Sequence, residues 1–339
     1  MNEAVWGIAA YFHPTGRKIR LRNYREFRRR LQVPLVTVEL SFDGAFDLKP
    51  GDADILIQLD GGSLLWQKER LLNLALQALP ESCDTVAWLD CDVIITRPDW
   101  PNAVRRILDH YALVQPFERL YHMPRDYNGE LAEVPRFQIP YQSIGCCLVK
   151  GTLPVETFGI PGVSQRLKYA PGMAWAAKRA TLQAHGFYDT FVIGGGDKAI
   201  VSAACGRFVD YAGGWQLSAS ARKHYCCWAE RFHGAVQGSI GYIEGDLFHL
   251  WHGDLVKRGY SNRAGLFAQF AFDPYSDIAL NRDQIWIWNS AKPDMHDFAR
   301  AHLERTEMPA DDDRSENVSA PDQLEHRRDA GLGDRVWNS

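Results

Sequence analysis

The sequence predicts an α/β fold built on a mixed, mainly parallel sheet flanked by helices. Two observations carry this expectation. Short apolar runs alternate with stretches of helical periodicity through the first 117 residues, the pattern of strands and helices packed in layers. The run "TVAWLDCDVIITRP" (85–98) is nearly continuous in apolar character, as expected of a strand buried on both faces of a parallel sheet.

The elements follow in order. "WGIAAYF" (6–12) reads as the first strand, and "RKIRLRNYREFRRRL" (17–31) as a helix with Leu21, Tyr24, Phe27 and Leu31 on one stripe. "LVTVEL" (35–40) and "DILIQL" (54–59) read as strands. "LLWQKERLLNLALQAL" (64–79) is helical by the spacing of Leu65, Leu72, Leu76 and Leu79. The strand "TVAWLD" (85–90), the helix "PNAVRRILDHY" (101–111) and the strand "ALVQPF" (112–117) complete the first half. Residues 118–143, rich in Pro, Tyr and charge, read as a loop, and "SIGCCLVKG" (143–151) as another strand. From Met308 the chain turns polar and reads as a disordered tail. The expected organisation is one domain, 1–307, with halves 1–117 and 118–307, followed by the tail 308–339.

The bulk composition excludes several classes. At 46% hydrophobic and 24% charged, the chain has the make-up of a soluble globular protein. A net charge of -4 and a pI near 6.3 argue against a nucleic-acid binder. No apolar run approaches the roughly 20 residues of a membrane helix, and the N-terminus lacks a signal-peptide pattern. The seven cysteines show no zinc spacing and read as reduced thiols of a cytoplasmic protein. The basic stretch 17–31 allows peripheral membrane contact, but an amphipathic helix with a solvated face is the favoured reading.

Asp90 and Asp92 stand at the tip of the apolar run, one residue apart. In open α/β sheets, ligands gather at the carboxyl ends of strands. Residues two apart in an extended segment point the same way, so both carboxylates are expected to face one divalent ion. Hard oxygen ligands suit Mg2+ or Mn2+, which share their shells with substrate phosphates. A lone Asp-x-Asp triplet is more often a turn or a cap, so the rest of the chain has to decide.

The segment "ERLLNLALQALPESCDTVAWLDCDVII" resembles the donor half of a GT-A fold glycosyltransferase, with Arg70 and Asn73 matching the Arg-x-x-Asn of the nucleotide-contacting turn. "PGMAWAAKRATLQAHGFYDTFVIGGGD" resembles the later segment of the galactosyltransferase-like and GalNAc-transferase-like enzymes. The matching residues are Gly172, Met173, Lys178, Arg179, Gly186, Phe187, Asp189, Gly195, Gly196 and Asp197. Where the family has Trp before the glycines and Glu-Asp after them, this chain has "VIGGGDK", so Asp197 aligns either with the Glu or with the catalytic Asp. The resemblance spans residues 50–255 in broken blocks and implies a GT-A type, Rossmann-like sheet.

It also implies a reaction. A hexosyl group would move from a nucleotide-diphospho-sugar, with a UDP-sugar expected, to a saccharide or other hydroxyl acceptor. A late histidine would complete the metal shell: His252 in "HLWHG", with His249 as runner-up. Lys257, Arg258 and Arg263 would close over the diphosphate, unless they form a solvated basic turn. Asp197 would be the base of an inverting reaction, or else the cap of the helix "KAIVSAACG". Trp175 would stack on an acceptor sugar, or else belong to the core. Two other functions compete. A sugar-1-phosphate nucleotidyltransferase needs a Gly-rich basic loop after the first strand, which "YFHPTGRK" matches poorly. A non-catalytic carbohydrate-binding relative would have no reason to keep Asp90, Asp92 and a late His.

Overall fold

A computed structural model describes residues 4–14, 18–127, 139–159, 163–253 and 262–307. All of them belong to one compact unit, Met1–Pro309. The expected tail, 308–339, lies outside the described residues.

The strands are β1 (Ala4–Phe12), β2 (Leu35–Ser41), β3 (Ile55–Asp60), β4 (Cys83–Leu89), β5 (Val93–Ile95), β6 (Leu113–Gln115), β7 (Arg119–His122), β8 (Tyr141–Ser143), β9 (Tyr169–Ala170), β10 (Ala174–Lys178), β11 (Ile240–Tyr242), β12 (Asp246–His249), β13 (Ile278–Leu280) and β14 (Trp286–Trp288). The helices are α1 (Lys18–Arg30), α2 (Lys68–Gln77), α3 (Trp100–Ile107), α4 (Ile144–Val149), α5 (Val163–Arg166), α6 (Arg179–His185), α7 (Gly196–Ala204), α8 (Phe208–Gly214), α9 (Ala219–Val236), α10 (Arg263–Ala268) and α11 (Pro293–Glu307).

The main sheet runs β11-β6-β10-β4-β1-β2-β3. Its pairings are parallel except for β10, which lies antiparallel between β4 and β6. The mixed, mainly parallel sheet flanked by helices is therefore present. β4 explains why its sequence is so apolar: Val86 and Trp88 enter one core cluster, while Ala87 and Leu89 enter another. A strand covered on both faces has no side on which a polar residue is cheap. The apolar run stops where that cover stops, at Asp90.

A second sheet, β5-β12-β7-β8-β9, follows from the turn after β4. Here the structure corrects two expectations. Residues 118–143 are not all loop, because β7 and β8 lie at their two ends. The segment 143–151 is the helix α4 rather than a strand. Ser143 caps it, its side chain accepting from the Cys146 amide at 3.1 Å. A short apolar run fits a buried helix as well as a strand, and here the cap decides. Gly145 admits the backbone of Gly241, whose carbonyl oxygen would lie 2.6 Å from a Cβ at this position.

Among the described residues, no helix is long and apolar enough to cross a membrane. Replacing Ser143 with Ala removes the α4 cap. It should lower unfolding free energy by about 1 kcal/mol, read as a shift of the urea midpoint at unchanged slope. An unchanged midpoint would show that the cap does not hold this helix.

Candidate active site

The site is built around the turn Asp90–Cys91–Asp92, between β4 and β5. The two carboxylates were expected to face one ion, and the turn sends them to different partners. Asp90 lies 2.6 Å from the Lys68 ammonium. Asp92, only 4% exposed, lies among His249, His252 and Arg20.

Strand register assembles the second group. β12 pairs antiparallel with β5, setting His249 opposite Val93, the residue after Asp92. The Leu250 amide then donates to the Asp92 carbonyl at 2.8 Å. His252 follows within one turn, and α1 holds this corner through Asn23, whose Nδ2 donates to the Trp251 carbonyl at 3.0 Å. His249 Nε2 is 3.6 Å from Asp92 Oδ1, and His252 Nε2 is 3.2 Å from Asp92 Oδ2. The two Nε2 atoms are 3.2 Å apart. β7 sets His122 beside His249 in register, and their Nδ1 atoms are 3.0 Å apart. That contact turns the His249 Nε2 toward Asp92.

These residues fit a divalent cation. Their ligand atoms all lie within 4.8 Å of one another, and all three side chains are buried. Separations of 3.2 to 3.6 Å suit donors sharing one ion at bond lengths of about 2.1 Å. Two facing imidazole nitrogens also need a proton or a cation between them. Both histidines offered as alternatives enter the trio, and Asp90 stands outside it.

The first group centres on Lys68 at the start of α2. Its ammonium is 2.6 Å from Asp90 Oδ1 and 3.0 Å from Asp197 Oδ1. Burial alone would pull Lys68 down, but Asp197, Asp90 and Glu69 outweigh it and hold the ammonium well above its ordinary range. Desolvation raises the Asp197 carboxyl, Lys68 lowers it and Asp90 raises it again, for a net upward shift. Asp197 does not cap α7. The N-cap is Gly195, in the left-handed region at φ 114°, and Asp197 sits in the first turn with its carboxylate on Lys68.

Two glycines make room for these acids. A Cβ on Gly172 would lie 2.5 Å from Asp197 Oδ2, and one on Gly196 would collide with the Glu69 carboxylate. Glu69 accepts from Trp66 Nε1 at 2.9 Å. It lines a small cavity together with Asp197, Leu72, Trp88, Phe187, Tyr188 and Trp228. Next to Gly172, Met173 adopts φ 78° and its carbonyl accepts from the Asp90 amide at 2.8 Å. A left-handed non-glycine residue is costly, and this one holds the turn that carries both aspartates.

The other expected site residues lie elsewhere. Arg70 Nη1 is 3.2 Å from Asp189 Oδ2. Asn73 donates to Asp189 at 3.0 Å and to the Phe187 carbonyl at 2.9 Å, and accepts from the Phe187 amide at 2.8 Å. Both therefore latch α2 to residues 187–189. Trp175 is 1% exposed, stacks on Trp88 at 6.2 Å and donates to the Pro171 carbonyl. It is a core residue with no face open to a sugar, which corrects its expected acceptor role. Arg263 stacks over Trp215 at 5.2 Å beside the glycine turn, 3.2 Å from His302 Nε2. Lys257 and Arg258 lie outside the described residues.

The sequence did not single out Lys68, Glu69, His122 or Arg20. For the first two, the available signal was their place beside Arg70 in "QKERLLN". His122 and Arg20 had no local signal, because register and helix docking bring them in.

No family model matches the chain, and no curated protein does. Among solved structures it is similar to S. aureus TarS in complex with UDP-GlcNAc. Identity is 10%, covering 74% of this chain and 59% of that one, with a TM-score of 0.40. The chain thus matches little more than half of that TarS structure. It is also similar to the catalytic domain of Drosophila β1,4-galactosyltransferase 7 in complex with xylobiose. Identity is 10%, covering 87% of this chain and 98% of that one, with a TM-score of 0.35. A mutant of the same enzyme with manganese, UDP-Gal and xylobiose gives 11% identity, 62% of each chain and a TM-score of 0.29.

Glu69 provides a pH test. Burial raises its carboxyl from an ordinary 4.5 to about 7, with Lys68 lowering it and Asp197 raising it. Between those values the folded protein keeps a proton that the unfolded chain releases. The contribution is therefore full below the lower value and is lost as pH rises through about 7, by at most on the order of 3 kcal/mol. Glu69→Gln should flatten the pH dependence of the urea midpoint from about pH 5 to 8. A slope equal to the parent's would mean that this carboxyl ionises as an ordinary one.

Proposed function

We propose that the chain is a metal-dependent, inverting glycosyltransferase of the GT-A type, moving a hexosyl group from a UDP-sugar to a hydroxyl acceptor. One observation carries the reading. A buried carboxylate–imidazole trio and a lysine-held carboxylate cluster meet at a single turn, on the carboxyl edge of the main sheet, where α/β folds bind ligands. Metal-assisted glycosyl transfer from a diphosphate uses those two chemistries side by side.

A Mn2+ or Mg2+ ion held by Asp92, His249 and His252 would supply positive charge to a departing diphosphate. The protein's own groups do the rest. Asp197 accepts the proton of the attacking hydroxyl, and burial, by raising its carboxyl above the ordinary range, makes it a stronger base than a solvated aspartate. Lys68 holds Asp197 and Asp90 in place and offsets their charge. A single base with direct attack by the acceptor inverts the anomeric centre. The two imidazoles favour Mn2+ over Mg2+. The same donor set also serves non-haem iron oxygenases. The carboxylate–lysine cluster beside the trio favours proton transfer to a base and so the transferase reading.

The test is a panel of sugar nucleotides with Mn2+, scored for donor hydrolysis and transfer. UDP-sugars go first, since the solved TarS and galactosyltransferase structures named above hold them. Asp92→Asn should abolish Mn2+-dependent binding of the nucleotide while the fold survives. Parental binding in this variant would remove the metal-site reading. Asp197→Asn should keep donor and metal binding but lower kcat by about 10²–10⁴-fold. Normal kcat in that variant would move the base elsewhere, Glu69 of the same cavity being one alternative.

A further inference from the structure

Arg20 reaches the metal trio from α1. Its Nη1 donates to Asp92 Oδ2 at 2.9 Å, the same oxygen that lies 3.2 Å from His252 Nε2. The Asp92 side chain is 5% exposed, and that of Arg20 is 15% exposed. A carboxylate this deeply buried needs a counter-charge, and Arg20 supplies one. A divalent ion in the trio would share the same oxygen. Two cations so close, in a site so poorly screened, repel strongly. The helix itself is fixed, because the nearly buried Asn23 ties α1 to the Trp251 carbonyl. Any adjustment to an entering metal therefore falls on the long arginine side chain rather than on the helix.

We propose that Arg20 is a resident counter-cation of the metal site, displaced from Asp92 when the metal enters and then engaging the diphosphate of the donor. The displacement stands on the geometry of the trio. The engagement rests on the donor class proposed above. A guanidinium beside a metal-bound diphosphate is well suited to the second task, since its planar fork matches phosphate oxygens.

Calorimetric titration tests both steps on the full chain freed of metal with a chelator. Mn2+ is titrated into the parent, Arg20→Gln, Arg20→Lys and Asp92→Asn, and UDP is then titrated into each Mn2+-saturated protein. Arg20→Gln should bind Mn2+ about tenfold more tightly, the factor hidden when the competent form is one part in ten. It should bind UDP about tenfold more weakly, through loss of a charge-assisted contact. Arg20→Lys should move both affinities in the same directions by less. Opposite signs are the signature, because a merely structural arginine would weaken both. Equal or weaker Mn2+ binding in Arg20→Gln overturns the displacement. Unchanged UDP binding overturns the hand-over. Parental Mn2+ binding in Asp92→Asn overturns the metal site itself, and this inference with it.

Discussion

One buried ammonium organises the candidate site. Lys68 is 9% exposed, and its nitrogen joins Asp90 and Asp197, groups separated by more than a hundred residues. Glu69 adds a third acid to the same neighbourhood. One positive charge faces three carboxylates at this corner, and burial adds to the cost of ionising Glu69 and Asp197. The upward shifts of Glu69 and Asp197 come first from burial, with a neighbouring aspartate adding to each and Lys68 opposing both. Lys68 is the group that lowers both carboxyls against burial, so removing it would push them further toward their neutral forms. The glycines at 172 and 196, the left-handed Met173 and the start of α7 are all arranged around this one cation.

The second dependency is topological. β4 ends at Leu89, and the chain leaves the main sheet through Asp90–Asp92 to begin the small sheet. The same three residues therefore belong to two layers. Asp90 hangs from the end of the main sheet, while Asp92 is held by β12 through Leu250. The register of β12 against β5 and β7 then fixes His249 and His122 without further specification. A slip of β12 by one residue would turn the His249 imidazole to the opposite face, away from His122 and Asp92. The ion pair of Arg119 with Asp246 at 2.6 Å, a register pair at the start of β12, guards against that slip.

Much of the fold was legible because local periodicity and burial agree in the first half. The runs at 35–40 and 54–59 and the helices at 17–31 and 64–79 all correspond to observed elements within a few residues. Legibility failed where tertiary contacts decide. β7 and β8 are short strands that exist because partners are present, and α4 is set by a serine cap rather than by its apolar content. In the site, Asp92 and the two histidines could be found because metal chemistry names its residue types. Lys68 and Glu69 had only their place beside Arg70 to mark them, since a Lys-Glu pair in a helix reads as a solvated face until packing buries it. Arg20 was hidden in the same way, among the basic residues of α1. Trp175 misled in the opposite direction, since nothing in a sequence separates a core tryptophan from a sugar platform.

The contact between Gly196 and Glu69 ties two positions into one inheritance. With the Glu69 side chain where it stands, a glycine at 196 leaves room for the carboxylate, which in turn fills the space that the glycine leaves open. A larger residue at 196 is compatible only with a shorter one at 69. Homologous chains should therefore tend to differ at both places or at neither. A lineage moving between the two arrangements has to cross a form that is either overpacked or short of a carboxylate, which makes this pair a barrier to gradual exchange rather than a neutral drift site.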